Sequence, residues 1–268
     1  MPLRAEHMQT SHPHAALEGA SIIITRPAGT GGALAARVRA LGGRPVALPG
    51  LVLRATTDDA VARALRGARD APIWIFSSPA AVRFAFRLAP ALRIARTAQV
   101  FTVGAGSARA LSRRGIAARL PSTTSDSEGL LALAELSKVR GQRIVLVGAP
   151  GGRDLIAPTL RRRGAKVEPI HVYRREPPRL TQRHFDAVAA LRNPLITLVS
   201  SAEALTNLVA LVPRTVLARL RGQVLVVSSA RLADVARAQG FKELVQAKSA
   251  LPRDLLDAAQ TAIARHRL

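Results

Sequence analysis

Short apolar runs alternate along the chain with helical patterns, and the runs end in glycine or serine. Residues 22–25, 73–76, 100–103, 144–147, 196–199 and 224–227 are each four aliphatic or aromatic side chains, broken at most by one threonine. Runs of that length without polar alternation predict strands buried on both faces, the pattern of a parallel sheet. Between them, residues 31–41 put Leu34, Val38 and Leu41 on one helical face, and a helix opening at Arg153 and Asp154 does the same with Leu155, Ile156 and Leu160. Residues 45–53 and 169–178 are extended but carry prolines, which suits a sheet edge or a connector better than a sheet centre. The expected class is α/β, with parallel sheets covered by helices.

The pattern occurs twice. Ile22 falls on Ile144, Gly29 on Gly151 and Gly42 on Gly164 at an offset of 122. Residues 73–78 (IWIFSS) meet 196–201 (ITLVSS) at 123, 100–103 meet 224–227 at 124, and Leu130-Leu131 meet Leu255-Leu256 at 125. Order is kept throughout, so the chain reads as two halves of one ancient duplication, each built of strand-helix units. A chain of 268 residues with 48% apolar content is long enough for two cores.

The chemistry gathers where the runs end. In residues 141–173 a buried run passes into Gly148, Gly151 and Gly152 and then into Arg153 and a helix. Such a loop aims free amides and a partial positive charge outward, a natural seat for carboxylate or phosphate, and arginine adds a planar donor fork. The same glycines equally serve a tight strand-to-helix turn with no ligand. Ser77-Ser78-Pro79, Gly104 to Ser107, Ser200-Ser201 and Ser228-Ser229 stand at equivalent ends, where open parallel sheets bind ligands and where serine also caps helices. Gly148 to Gly152 is not followed by Lys-Ser or Lys-Thr, so no nucleoside-triphosphate loop exists. Neither glycine loop is a dinucleotide fingerprint, no serine sits in a nucleophile elbow, and the histidines fall at positions unrelated to the turns.

Charge changes the picture less than its size suggests. The net charge is +23, from 40 basic against 17 acidic residues, which points to a polyanionic partner. Only four of the 40 are lysine, the arginines are spread over nearly every helix, and with one Trp and one Tyr stacking platforms for single-stranded nucleic acid are almost absent. With no cysteine, disulfides, thiolate nucleophiles and cysteine metal sites are all absent. No apolar run reaches the length of a membrane span, and the N-terminus lacks the layout of a signal peptide, so a cytoplasmic location is expected. Residues 1–17, with His7, His12 and His14, are expected to be a disordered leader.

Several segments taken together resemble the uroporphyrinogen-III synthase family. They are ITRP at 24–27, FSSPAAV at 76–82, the Val103–Gly104…Ser107–Ala108 turn, GGRDLI..TLRRRGA.V....VYRR at 151–175 and VVSS.RLA..AR..GF at 226–241. The resemblance covers about residues 20–265. It implies two flavodoxin-like or Rossmann-like parallel-sheet domains with exchanged first strand-helix units: residues 18–50 pack with 178–268, and residues 51–177 form the second domain. Residues 45–53 and 169–178 would be the two-stranded linker ladder.

The function the resemblance implies is cyclisation of linear hydroxymethylbilane to uroporphyrinogen III, with loss of water and inversion of ring D. No cofactor and no metal are implied, and the enzyme would be a cytoplasmic monomer that takes its substrate from hydroxymethylbilane synthase, with no nucleic-acid or membrane partner. Carried over by motif, the substrate-binding residues are Thr25, Arg26, Pro27, Ser77, Ser78, Gly104, Ser107, Gly148, Gly151, Gly152, Arg153, Ser200, Ser201 and Ser228. Tyr173, the sole phenol, is the candidate proton donor to the leaving hydroxyl. At residues 227–231 this chain has Val-Ser-Ser-Ala-Arg where many family members have a Gly-Pro-Thr type turn. The rival classes are a two-lobed anion-binding protein without catalysis and a nucleic-acid-binding module.

Overall fold

The computed structural model describes residues 16–122, 126–151, 155–192 and 194–266. In chain order its elements are β1 (Ser21–Ile24), α1 (Gly32–Ala40), β2 (Arg44–Ala47), β3 (Val52–Ala55), α2 (Asp59–Gly67), β4 (Ile73–Phe76), α3 (Pro79–Leu88), β5 (Gln99–Thr102) and α4 (Ala105–Ser112). There follow α5 (Ser127–Leu131), β6 (Arg143–Gly148), α6 (Ile156–Arg162), β7 (Lys166–His171), β8 (Tyr173–Glu176), α7 (Gln182–Ala189) and β9 (Leu195–Val199). The chain ends with α8 (Ala202–Leu211), α9 (Arg214–Arg221), β10 (Val224–Val227), α10 (Ala230–Ala238), β11 (Leu244–Gln246) and α11 (Pro252–His266).

Packing divides these elements into two units. The first takes the described residues up to Val52 and those from Pro177 onward; the second runs from Leu53 to Glu176. The first unit holds a five-stranded sheet in the order β11-β10-β9-β1-β2, parallel at every pair. Ser21 pairs with Leu195 and Ile24 with Leu198, so β1 is sandwiched by a strand from the other end of the chain. This is the exchange of first strand-helix units that the family resemblance implies. The second unit holds a four-stranded parallel sheet, β5-β4-β6-β7. The chain passes between units at the ends of β3 and β8, which form a small antiparallel ladder.

The ladder is shorter than the proline-flanked segments suggested. Residues 44–47 and 166–171 are edge strands of the two sheets, with Pro45 beside Ile22 and Pro169 beside Leu146, and only β3 and β8 belong to the ladder. An edge strand has one side that needs no donor, which is why proline is tolerated there. The start of the chain also differs. Residues 1–15 lie outside the described residues, but Leu17, assigned to the leader from sequence, is 0% exposed, and its amide donates to the Leu41 carbonyl at 2.8 Å.

Both sheets are covered on both faces, and alternate residues of each central strand serve different cores. Ile23, Leu195, Val199, Leu225 and Val227 pack beneath α7 to α10, whereas Ile22, Ile24, Ile196, Leu198, Val224 and Val226 pack beneath α1 and α11. In the second unit Trp74, Phe76, Val145 and Val147 meet α2, α3 and α4, and Ile73, Ile75 and Ile144 meet α5 and α6. Two-sided burial explains why these strands read as unbroken apolar runs.

The duplication is written in backbone conformation as well. All eight glycines with positive φ among the described residues fall into pairs: Gly19 with Gly141, Gly29 with Gly151 and Gly42 with Gly164 at 122, and Gly115 with Gly240 at 125. At Gly42, Gly115, Gly164 and Gly240 the left-handed residue stops a helix, which a side chain would resist.

One glycine is required for closeness instead of φ. A Cβ on Gly50 would lie 2.5 Å from the Ala204 carbonyl oxygen and 2.8 Å from its Cα, where α8 approaches and Asn207 Nδ2 donates to the Gly50 carbonyl at 2.9 Å. Gly50→Ala is expected to cost about 1–3 kcal/mol in urea unfolding, because backbone must move. Gly67→Ala, at the end of α2 with nothing within 4 Å of the new methyl, is expected to gain about 0.5–1 kcal/mol. Equal stability of the Gly50 variant and the native chain would show that this approach is soft.

Candidate functional site

In each unit the strand-to-helix turns gather at the carboxyl edge of its sheet. In the second unit the central turn follows β4. Ser77 donates its amide and its hydroxyl to the Val147 carbonyl, at 3.0 and 3.2 Å, which ties β4 to β6. Ser78 caps α3, its Oγ accepting from the Ala81 amide at 3.0 Å. That Oγ is also 3.0 Å from the Tyr173 hydroxyl. The Tyr173 ring is 6% exposed and stacked on Phe84, with centroids 5.2 Å apart and planes inclined by 25°. So Tyr173 is a buried ring at the start of β8 whose polar end joins the half-buried cap residue of α3.

Gly148 ends β6 directly against Ser77: a Cβ there would stand 2.6 Å from Ser77 Oγ. The loop beyond it carries Gly151 at φ +72°, and Arg175 from β8 donates to the Pro150 carbonyl at 3.0 Å. Gly152 and Arg153 lie outside the described residues. The helix opening expected at Arg153 and Asp154 therefore also lies outside the described residues; what is described is the seven-residue α6, with Leu155 at its N-cap and no side-chain cap. Gly104 is the N-cap of α4, in extended conformation and likewise without a side-chain cap. Ser107 is 2% exposed, on the inward face of α4, so its hydroxyl is not displayed as the sequence reading expected.

In the first unit Thr25 is buried and donates its hydroxyl to the Leu198 carbonyl at 2.8 Å, a bond that joins β1 to β9 and does not face outward. Arg26 and Pro27 follow in the turn before α1. The Arg26 guanidinium donates to the Ala250 carbonyl at 2.5 Å and has no carboxylate partner among the described residues. Burial lowers its pKa from the ordinary arginine value. Ala250 is placed by a neighbouring turn in which the Ser249 hydroxyl donates to Asp254 at 2.5 Å and holds that carboxyl below its usual range. Ser201 and Ser229 cap α8 and α10, each accepting from a backbone amide at 3.3 Å. Ser200 and Ser228 are half-buried, with hydroxyls that have no protein partner among the described residues.

The edges are therefore organised differently from the sequence expectation. Most predicted hydroxyls are occupied in holding the turns together. The donors left over include the first-turn amides of α1 and α4, both capped by glycine, and of α6, with Arg26, Ser200 and Ser228. A cavity of about 210 Å³ opens at the β1 turn, lined by Ile24, Arg26, Pro27, Gly29 and Gly31 from one side and His184 of α7 from the other. The sequence reading separated the histidines from the turns, and His184 corrects it. Its only signal was Thr181 three residues earlier, the spacing of a reciprocal helix cap. A larger concavity of about 630 Å³ lies at the amino ends of β6 and β7, where Arg143 is already held by Glu168 at 2.8 Å.

The contact between Gly148 and Ser77 yields a test of the second unit's edge. Gly148→Ala is expected to cost about 1–3 kcal/mol by displacing the Ser77 hydroxyl. In a Ser77→Ala background the same change meets only a methyl 3.5 Å away, so the penalty should fall by at least half in a double-mutant cycle of urea midpoints. Strict additivity would mean that the two residues do not press on each other.

Comparison with known proteins adds an independent line. A family model described as uroporphyrinogen-III synthase HemD matches residues 32–257. The uroporphyrinogen-III synthase of Salmonella typhimurium is 33% identical over 253 residues, covering 90% of this chain and 100% of the relative. That of Escherichia coli is 33% identical over 173 residues, 62% of this chain and 68% of the relative. Two solved structures share the fold. A mutant uroporphyrinogen III synthase from Thermus thermophilus superposes with TM-score 0.60 at 19% identity, over 92% of this chain and 99% of its own. The uroporphyrinogen-III synthetase of Helicobacter pylori gives 0.61 at 13% identity, over 91% and 99%.

Proposed function

The chain belongs to the uroporphyrinogen-III synthase family, and from that premise we propose that it closes hydroxymethylbilane to uroporphyrinogen III through the donors at its two sheet edges. It is an enzyme of tetrapyrrole biosynthesis, of the hydro-lyase type. The observation that carries this reading is the 33% identity over the full length of a synthase, on an architecture shared with two others. Relatives that are enzymes set aside the reading as an anion-binding protein without catalysis.

The chemistry asks for positioning. The hydroxyl of the hydroxymethyl group takes up a proton and leaves as water, pushed by its pyrrole nitrogen, which gives up its own proton, and the methylene carbon remains as an azafulvene electrophile. Ring D attacks it through its substituted carbon, and the spiro intermediate fragments and recloses with ring D inverted. Uncatalysed closure attacks at the unsubstituted carbon and gives the type I isomer, so the protein must hold a flexible polycarboxylate in one folded shape. Backbone amides at helix starts and an arginine fork suit carboxylates. In this reading Arg26, Pro27, Gly104, Gly148, Gly151, Gly152, Arg153, Ser200 and Ser228 face substrate, while Thr25, Ser77, Ser107 and Ser201 shape the turns that hold them. Residues 18–50 with 178–268, and residues 51–177, act as the two substrate-holding domains of a cytoplasmic monomer. Because free hydroxymethylbilane closes unaided to the wrong isomer, direct hand-over from the synthase that makes it fits the same logic.

Tyr173 is the proton donor in this scheme, reaching the leaving hydroxyl with Ser78 beside it. Ser78 Oγ already accepts the Ala81 amide, so the bond to Tyr173 leaves one of the two hydroxyl protons to be passed on.

Purified protein supplied with hydroxymethylbilane is expected to give the type III isomer, separated from type I after oxidation to porphyrins. Formation of type I alone would overturn the function. Tyr173→Phe is expected to fold and to bind product within about twofold of the native chain while turnover falls at least about tenfold, the lower range of general-acid help. Ser78→Ala should lose turnover similarly and also about 1 kcal/mol of stability with the α3 cap. Native turnover in Tyr173→Phe would leave the tyrosine a packing role.

A further inference from the structure

The β1 turn carries a second, more specific reading. The 210 Å³ cavity there has apolar walls from Ile24, Pro27, Ala28, Ala47 and Pro49, and its side-chain polar groups are Arg26 and His184. Both are donors. His184 Nδ1 accepts the Thr181 amide at 3.1 Å, so in the neutral ring the proton sits on Nε2, which has no partner among the described residues. Arg26 has a single carbonyl partner and no carboxylate. Beside them the N-terminus of the nine-residue α1 has no side-chain cap, whereas α2, α3, α8 and α10 are all capped by a side chain. A concavity with apolar walls and two cationic or N–H donor side chains in its lining suits a short apolar arm that ends in a carboxylate.

The duplication shows that the fold does not require this histidine. Asp58 and Thr181 are the equivalent N-caps of α2 and α7 at an offset of 123, which puts Val61 of the other unit opposite His184. Val61 packs on its own core. Likewise Arg26 falls on Gly148 at 122, so the donor pair belongs to one copy alone.

We propose that this cavity receives one carboxylate arm of the tetrapyrrole, gripped by Arg26 and by the Nε2–H of His184, and so fixes the orientation of one pyrrole ring. The inference rests on the uroporphyrinogen-III synthase reading. Partial burial of Arg26 supports it, because a guanidinium short of water gains most from an anionic ligand.

Two substitutions separate binding from capping. His184→Asn keeps an acceptor near the Nδ1 position and removes the outward donor; His184→Gln keeps a donor near the Nε2 position and removes the cap. Titration of the purified chain with uroporphyrinogen III under anaerobic conditions is expected to show His184→Asn weakened about tenfold with native melting behaviour, the loss of one charge-assisted hydrogen bond. His184→Gln should bind within about twofold of the native chain and melt earlier. In the native chain, the His184 Nε2 resonance should shift when product is added. Native affinity in His184→Asn, or an unmoved resonance, overturns the proposal while leaving the synthase function intact. No product binding by the native chain would overturn the function as well.

Discussion

Everything in the first unit depends on β1 lying between β9 and β2. The strand has only four residues, all of them buried, and its partners come from opposite directions along the chain: β2 follows 20 residues on, but β9 pairs Ser21 with Leu195. Until residues 177–268 return, one side of β1 has no hydrogen-bond partner, and such a strand cannot be buried without a large polar penalty. The pairing therefore makes the second unit an insertion between two halves of the first, and it explains why the chain passes out through β3 and back through β8. It also builds the candidate site, because Arg26 leaves the end of β1 while His184 and Ala250 arrive with the returning segment.

The same requirement for partners decides which groups remain available to a ligand. Serines at the strand ends first satisfy the protein: Ser77 ties β4 to β6, Thr25 ties β1 to β9, and Ser78, Ser201 and Ser229 cap helices. A hydroxyl that donates to a carbonyl, as those of Ser77 and Thr25 do, has no proton left for a carboxylate, whereas one that only accepts a helix amide, as at Ser201 and Ser229, keeps its proton. Glycine at the N-cap adds backbone donors. It leaves the first-turn amides of α1 and α4 without side-chain partners, as Leu155 does at α6.

Much of the fold was legible because two-sided burial leaves a strong mark. A strand covered on both faces has to be apolar throughout, and six such runs marked β1, β4, β5, β6, β9 and β10 within a residue or two. The repeat was legible for a related reason: left-handed glycines cannot drift, so four pairs kept their spacing. Pairing partners were not legible from pattern, since the period of a strand says which faces are buried but not what lies alongside. Ser107 looked displayed because it follows a glycine turn, yet the 100° step of the helix turns it inward. His184 escaped for the plainest reason: in sequence it is an ordinary residue in the first turn of a helix, and its meaning comes from which strand lies beside that helix.

The large positive charge fits this division between shape and chemistry. From residue 71 to residue 125 there is no acidic side chain and there are eight arginines, a stretch that supplies α3, α4 and the segments around them. Carboxylates within it cannot neutralise these charges, and the contacts they make are of other kinds: Arg83 lies 4.9 Å from the Phe84 ring centroid, Arg114 lies 4.4 Å from that of Phe86, and Arg119 reaches out to Glu135. Cation–π contact holds a guanidinium in place without cancelling its charge. The result is a surface field that attracts any polyanion within about a Debye length, roughly 8 Å at physiological salt. Such a field accelerates the arrival of a substrate bearing many carboxylates, but it treats all folded shapes of that substrate alike. Discrimination between the two isomers must then come from short-range donors with fixed directions, and at the β1 turn the donors proposed for that part are Arg26, His184 and the uncapped start of α1.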